Sequence, residues 1–139
     1  MSEGFYSGQD KDSLWKYFNS DGIQVKEEFY RNKLKEGVWK IFYENGKVSE
    51  EMSWSNDKMN GSWKQFFPDG KTKLEGQHIN DEKEGEFKYY YLSGRLNIFS
   101  SYAASMRFGE WIYLNEDSKV IKKETYENGN LVKEESFEQ

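Results

Sequence analysis

A period of 24 residues is the feature of this sequence that most constrains its fold. The stretch GVWKIFYENGKVSEE, residues 37–51, recurs in the same phase along most of the chain. Its aromatic position is filled by Trp15, Trp39, Trp63, Phe87 and Trp111, and its turn glycine by Gly22, Gly46, Gly70 and Gly94. A fixed period of roughly 20–50 residues is typical of repeat proteins, in which each copy is one supersecondary unit.

Each copy has the pattern of a β-hairpin. Two runs of about eight residues, rich in Trp, Tyr, Phe and Val, are separated by turn residues such as Asn45-Gly46. A second aromatic column accompanies the first: Tyr6, Tyr30, Trp54, His78, Tyr102 and Tyr126. Helices are disfavoured because the recurring glycines would interrupt them. The predicted fold is all-β: an elongated single-layer antiparallel meander of hairpins, with about ten or eleven strands.

The period also predicts the boundaries of the copies within one domain, residues 1–139. A half-repeat at 3–12 comes first, and residues 130–138 form a C-terminal capping strand after the turn Asn128-Gly129. The predicted repeats between them are 13–36, 37–60, 61–84, 85–108 and 109–127.

Charge pairs across the hairpin predict its register. If Asn45-Gly46 are the two loop residues, Lys40 lies opposite Glu51, which is a favourable cross-strand pair. The same geometry pairs Lys16 with Glu27, Lys64 with Glu75 and Ile112 with Lys123. Pro68 favours a type I turn with a bulge, which would shift the register of the third copy by one residue.

Two aromatic columns lie three residues apart, for example at Trp39 and Phe42. In a regular strand such residues point to opposite faces. Either each strand contains a bulge, or a single-layer sheet carries aromatic rings on both sides. The second alternative predicts rows of partly exposed rings that provide a binding surface.

Composition excludes several classes of function. The chain is 32% charged, 35% hydrophobic and 18% aromatic, with a net charge of −5. Without a basic block, nucleic acid is not an expected partner, and the acidic balance disfavours anionic lipid. The absence of cysteine excludes disulfides and thiolate metal sites. The N-terminus resembles no secretory signal, so a cytoplasmic location is expected.

No catalytic, metal or cofactor site is predicted, and the chain is not expected to be an enzyme. His78 is the single histidine, and it stands in the second aromatic column, where it is expected to be a packing residue. The adjacent carboxylates Glu27-Glu28, Glu50-Glu51 and Glu134-Glu135 point to opposite faces of a strand and so cannot act on one substrate. Their periodic placement predicts solvated positions.

The segment NIFSSYAASMRF, residues 97–108, departs most from the repeat. Phe99 replaces a recurring Glu, and Ala104-Ser105 replaces an Asn-Asp turn. Two explanations remain open. The first is local repacking with a different turn. The second is an apolar patch for a partner, formed by Phe99, Tyr102, Met106 and Phe108, because an uncharged stretch on a charged scaffold is typical of an interface.

These residues resemble the MORN repeat, and more closely its bacterial variant G-x-W-K-x-Y-Y-x-x-G-K-x-x-x-E. The matching stretches are GVWKIFYENGKVSEE, GSWKQFFPDGKTKLE and GEFKYYYLSGRLNIF. The resemblance implies an elongated scaffold for protein contacts and extends to proteins labelled antitoxin-like. Some MORN proteins are linked to membranes or to phosphatidylinositol phosphate kinases, but the repeats leave no room here for a kinase domain. The expected partner is another protein; lipid is disfavoured, and a homodimer through the sheet edges stays open.

Overall fold

The protein is described by a computed structural model that covers residues 2–7, by their backbone alone, and 12–138. Within these residues every regular element is a strand, and no helix is long and apolar enough to cross a membrane. The strands are β1 (Ser2–Ser7), β2 (Asp12–Phe18), β3 (Gln24–Arg31), β4 (Leu34–Lys35), β5 (Gly37–Phe42), β6 (Val48–Ser55), β7 (Lys58–Phe66), β8 (Thr72–Ile79), β9 (Glu82–Lys83), β10 (Gly85–Tyr90), β11 (Leu96–Ala103), β12 (Met106–Arg107), β13 (Gly109–Leu114), β14 (Val120–Glu127) and β15 (Asn130–Ser136).

All strands belong to one open antiparallel sheet, which confirms the predicted fold class. The main path runs from β1 to β15 in chain order, and the two-residue strands β4, β9 and β12 pair with β3, β8 and β11. The path contains more strands than the ten or eleven expected, because the half-repeat and the last strand each add one. At about 4.8 Å between strands, the sheet is roughly 50 Å long.

The predicted charge pairs are present, but the turn that joins them is different. Lys40 lies opposite Glu51, as predicted. The Gly46 backbone N–H donates to the Tyr43 carbonyl, so the turn is centred on Glu44-Asn45 and not on Asn45-Gly46. Gly46 has a φ of 86°, a left-handed conformation that glycine adopts without a steric penalty. A bulge next to Ile41 compensates for the longer loop and restores the register.

The predicted register shift at Pro68 is wrong. Lys64 lies opposite Glu75, as in the neighbouring copies, and the turn after Phe66 has the same hydrogen bonds as the others. Every hairpin has the bulge at the same position, so Pro68 adds nothing to it. Proline fits because it occupies a turn position whose φ is already compatible with its ring.

The second turn is of one type in all copies, including the irregular one. Its two central residues both have positive φ, the signature of a type I′ turn, in Asn32-Lys33, Asn56-Asp57, Asn80-Asp81 and Asn128-Gly129. Ala104 and Ser105 have φ values of 49° and 65°. The alternative of a different turn in this copy is therefore wrong. Because alanine is disfavoured in this conformation, the turn at Ala104 is strained.

Replacing Ala104 with Asn should raise the free energy of unfolding by about 1 kcal/mol, because asparagine tolerates the left-handed conformation. The reciprocal control is Asn80→Ala in the neighbouring copy, which should lower it by a similar amount. Urea titration of the two variants measures both changes. A loss of stability in Ala104→Asn would contradict the assignment of strain to this turn.

The side chains alternate between two faces of the sheet. We call one face the aromatic face, because it carries the ring columns that contain Trp39 and Trp54. We call the other the ladder face, because it carries a row of alternating charges. The row consists of Lys16, Glu27, Lys40, Glu51, Lys64, Glu75 and Lys88, each opposite the next. Trp39 and Phe42 lie on opposite faces of the regular strand β5, so the sheet has rings on both sides and bulges as well.

The core of the protein is the aromatic face itself. Trp39 lies between Tyr30 and Trp54, with ring centroids 5.3 and 5.2 Å away, and Phe87 lies 5.1 Å from Tyr102. The two ring columns interleave in this way along the sheet. Trp39 is only 5% exposed and Phe87 is fully buried. The prediction of partly exposed rings is confirmed only for some of them, since Tyr30, Trp54, Trp63 and Tyr102 are half-buried. The rings cover one another and pack in tilted or T-shaped pairs.

The ends of the sheet are formed by β1 and β15. In the predicted half-repeat 3–12, β1 pairs with β2 and Glu3 lies opposite Lys16, while residues 8–11 lie outside the described residues. After the turn at Asn128-Gly129, β15 pairs with β14. Lys133 and Glu135 on β15 form an ion pair of 2.9 Å, and such charges discourage edge-to-edge association.

Candidate functional site

An uncharged stripe crosses the ladder face along β11. The ladder-face residues from the middle of this strand to its end are Phe99, Ser101 and Ala103. At the corresponding positions, the other second strands of the hairpins each carry at least one charge: Glu27 and Arg31 in β3, Glu51 in β6, Glu75 in β8, and Lys123 and Glu127 in β14. The stripe therefore interrupts a face that is otherwise charged from strand to strand.

The stripe continues to the end of the hairpin. Met106 lies opposite Ala103, and the Phe108 backbone N–H donates to the Ser101 carbonyl at 3.0 Å. Met106 is 48% exposed and Phe108 is 55% exposed. We use "uncharged stripe" for Phe99, Ser101, Ala103, Met106 and Phe108. Three of the four predicted patch residues therefore lie on one face of the same hairpin.

Tyr102, the fourth predicted residue, lies on the other side of the sheet. Its ring packs 5.1 Å from Phe87 and 5.3 Å from Trp111 on the aromatic face. Arg107 lies opposite it across the turn and shares that face. Tyr102 is therefore part of the ring stack and cannot contact a molecule that lies on the stripe.

The stripe also breaks the row of alternating charges. Lys88 is followed across the sheet by Phe99, then Ile112, then Lys123. A Glu position and the neighbouring Lys position have thus both become apolar, and the two apolar side chains face each other. Because both positions are apolar, Lys88 still lies opposite Glu75 and Lys123 still lies opposite Glu135.

Phe108 replaces a residue that joins one hairpin to the next. In two other copies the corresponding side chain is Glu36 or Glu84, whose carboxylate accepts a hydrogen bond from the backbone of the following turn, at Asn56 or Ala104. A phenyl ring cannot accept that bond. Phe108 therefore lacks the connecting role of this position, and more than half of its surface is open to solvent.

Two buried carboxylates on the aromatic face were missed by the sequence prediction. Glu28 accepts hydrogen bonds from the hydroxyls of Tyr17 and Tyr30 and pairs with Lys26. It is buried, so the prediction of a solvated position is wrong. Burial, together with the adjacent carboxylate, raises the pKa of Tyr30 to about 12.

The second carboxylate repeats this arrangement near the other end of the sheet. Glu124 accepts from the Tyr113 and Tyr126 hydroxyls at 2.7 and 3.1 Å and pairs with Lys122. Each residue of this cluster lies four repeats after its counterpart in the Glu28 cluster. A search for identical residues four repeats apart could therefore have revealed both clusters. Burial raises the pKa of the Glu124 carboxyl, but the hydrogen bonds from Tyr113, Lys122 and Tyr126 outweigh it, so the pKa lies below the usual range.

Replacing Glu124 with Gln should reduce the acid sensitivity of the fold. A lowered pKa stabilises the folded state above about 4.3, the pKa of an unfolded Glu, and this contribution is lost as the pH falls through the lowered value. Melting temperatures between neutral and acidic pH should therefore fall less steeply in Glu124→Gln than in the wild type. Glu44→Gln, in an exposed turn, is the control, and equal pH profiles for all three proteins would contradict the prediction.

His78 is placed as a packing residue. Its ring lies 5.2 Å from Trp63 and 6.2 Å from Phe87, and its Nδ1 is buried without a hydrogen-bond partner. Burial lowers the pKa of the imidazole, and nearby Lys83 lowers it further. Within the described residues no cluster of His, Asp or Glu could hold a metal ion.

A row of cations borders the aromatic face near the second turns. Lys35 Nζ lies 4.4 Å from the Trp54 ring centre, Lys83 Nζ lies 4.9 Å from that of Tyr102, and Arg107 lies 4.7 Å from that of Trp111. In the part of the chain that the structure describes, none of the three forms an ion pair with a carboxylate. The three cations thus lie over the faces of these rings and are held there by cation–π attraction.

The hairpin geometry can be compared with known families. Residues 35–56 and 59–80 match the MORN repeat variant. Each matched segment covers one hairpin: β5 with β6, and, apart from Lys58, β7 with β8. No curated protein matches the chain. MORN repeats are commonly modules for interaction with proteins or membranes, and the hairpins before and after the matched segments have the same pairing and turns.

Proposed function

We propose that this chain is a non-enzymatic scaffold that binds another protein through the uncharged stripe. The observation that carries the proposal is the exposure of Met106 and Phe108 beside Phe99, Ser101 and Ala103 on a face that is charged elsewhere. Apolar residues surrounded by charged ones are typical of protein interfaces. The MORN segments support an interaction role of this kind.

The strained turn beside the stripe also supports the proposal. Ala104-Ser105 occupies a conformation that Asn-Asp or Asn-Gly would adopt more easily. Local rules of turn chemistry are most often broken where a site needs particular side chains. A small uncharged turn leaves the end of the stripe accessible, whereas three of the other second turns contain a charged residue, Lys33, Asp57 or Asp81.

The test is a pull-down from a lysate of the native host, with mass-spectrometric identification of what is captured. The variant Phe99→Glu with Met106→Lys should lose a partner that the wild type captures, while its melting temperature stays within a few degrees. The matched control is Leu34→Lys, since Leu34 occupies the position of Met106 in an earlier copy. Capture that is equal for the stripe variant and the wild type would refute the proposal.

The resemblance to antitoxin-like proteins supports a particular class of partner, a toxic protein that the scaffold neutralises. Such a partner would arrest growth when expressed alone and would be tolerated when the wild-type scaffold is expressed with it. Co-expression with the stripe variant should fail to restore growth. Restoration by both proteins would exclude neutralisation through the stripe.

Membrane association is the second candidate function, and the row formed by Lys35, Lys83 and Arg107 favours it. These cations have no carboxylate partner among the described residues, and cations of this kind attract anionic headgroups. Co-sedimentation with vesicles that contain anionic lipid tests this function. Salt-sensitive binding that is lost in Lys83→Gln with Arg107→Gln would support it, and the absence of sedimentation would exclude it.

A further inference from the structure

The charges that border the uncharged stripe form two bands of opposite sign. At the level of Phe99, the nearest charged residues of the row are Lys88 on one side and, beyond Ile112, Lys123 on the other. At the level of Ser101, Glu86 lies opposite on β10, and Glu110 lies on β13 two residues before Ile112. Glu86 and Glu110 are both exposed. The stripe is thus bordered by positive charge at its Phe99 end and by negative charge two residues further along the strand, beside Ser101.

The carboxylates next to the basic band are engaged elsewhere. Glu75, which lies opposite Lys88, accepts a hydrogen bond of 2.6 Å from the Tyr90 hydroxyl. Glu135, which lies opposite Lys123, forms its ion pair with Lys133. The contact of Lys88 with Glu86 is long, at 3.9 Å. Lys123 also attracts the Glu135 carboxylate, but neither ammonium group lies in a short ion pair among the described residues, so both can approach carboxylates of a partner.

The dimensions of the stripe select the shape of its occupant. Lys88 and Lys123 are three strand intervals apart, roughly 14 Å. An α-helix with its side chains is about 10–12 Å wide, so one helix fits between these residues. From Phe99 to Ala103 the stripe is about 13 Å long, which corresponds to about two and a half helical turns. Met106 and Phe108 lie beside Ala103 and Ser101, so they widen the stripe.

A second copy of this chain does not fit the stripe. Across the sheet, the row has like charges at equal distances from the point between Phe99 and Ile112. A symmetric face-to-face dimer centred at that point would therefore place Lys88 against Lys123 and Glu75 against Glu135. Like charges placed opposite each other are destabilising. The charges thus disfavour self-association and favour a partner of a different sequence.

We propose that the stripe binds an amphipathic helix of its partner, with carboxylates at the level of Phe99 and basic residues about one helical turn further along. The helix lies along β11 with its apolar side chains on Phe99, Ala103 and Met106. Its carboxylates meet Lys88 and Lys123, and its basic residues meet Glu86 and Glu110. The inference rests on the proposed protein-binding function and adds to it the form and charge order of the bound segment.

The test uses two synthetic helical peptides with the same composition and the same apolar stripe. In the segregated peptide the Glu residues occupy one half and the Lys residues the other, and in the mixed peptide they alternate. Fluorescence anisotropy should show that the wild-type protein binds the segregated peptide about tenfold more tightly than the mixed one. The variant Lys88→Glu with Lys123→Glu should lose this preference.

The matched control is Lys40→Glu with Lys64→Glu, which makes the same charge change on the same face but away from the stripe and should keep the preference. Equal affinity for both peptides, a preference that survives in Lys88→Glu with Lys123→Glu, or binding of neither peptide would overturn the inference. The pull-down with the stripe variant is independent of these peptides. If the stripe variant loses the partner in the pull-down but the peptides show no charge preference, the proposed function is supported and only the inferred helix is rejected.

Discussion

Replacing Trp39 with Ala is expected to lower the free energy of unfolding by about 3–5 kcal/mol. Trp39 is 5% exposed, its ring contacts Tyr30 and Trp54, and its indole N–H donates to the Phe29 carbonyl at 2.9 Å. Removal of the ring opens a gap in the stack and exposes both neighbours. Chemical denaturation followed by intrinsic fluorescence, with far-UV circular dichroism as a second probe, measures the loss.

Val38→Ala is the matched control for this loss. Val38 precedes Trp39 on the same strand, but it faces the other side of the sheet and is 48% exposed. Its truncation should change the free energy of unfolding by no more than about 0.5 kcal/mol. Similar losses for Val38→Ala and Trp39→Ala would show that the stability does not reside on the aromatic face.

Replacing Gly76 with Ala is expected to lower the free energy of unfolding by about 3 kcal/mol, the upper part of the range for overpacked cores. A Cβ at this position would lie 2.4 Å from Cδ1 and Cε1 of Phe87. Phe87 is fully buried between the rings of Trp63, His78 and Tyr102, so it has no room to move away. Gly76 has an ordinary strand φ, and the requirement for glycine is therefore one of space.

The double variant Gly76→Ala with Phe87→Leu tests the cause. Leucine withdraws the ring atoms that a Cβ would meet, so the double variant should lose less stability than the sum of the two single variants. A free energy of unfolding that is simply additive would mean that Gly76 is required for a reason other than contact with Phe87. Circular dichroism should show an unchanged strand content in each variant.

The period and the alternation of side chains were enough to predict the fold. Lys40 lies opposite Glu51 because turn and bulge together restore the simplest register, although the predicted turn was wrong. Bulges are difficult to predict from sequence here. The extra residue of the bulge cancels the extra length of the loop, so the charge pairs are the same as in a hairpin with a two-residue loop and no bulge. Pro68 was misleading because the turn it occupies has the same hydrogen bonds as the turn inside every other repeat. The proline therefore does not mark a different register.

The candidate site could be predicted only in part. Phe99, Met106 and Phe108 were identified because they break the repeat, and they do lie on one face of the sheet. Tyr102 was included because it is near in sequence, but the alternation of a strand places it on the other face. Glu28 and Glu124 were missed because each follows another charged residue and so resembles a solvated position. Their burial depends on tyrosines from two strands, which come together only in the fold.

The central claim is that interleaved rings hold a single-layer sheet together by contacts between neighbours. A double-mutant cycle on Trp39→Ala and Trp54→Ala, whose ring centroids are 5.2 Å apart, measures this coupling directly. We predict a coupling free energy of about 0.5–1.5 kcal/mol for this pair and additive effects for Trp39 with Trp111, which lies three repeats away. Additive effects for the adjacent pair as well would contradict the claim.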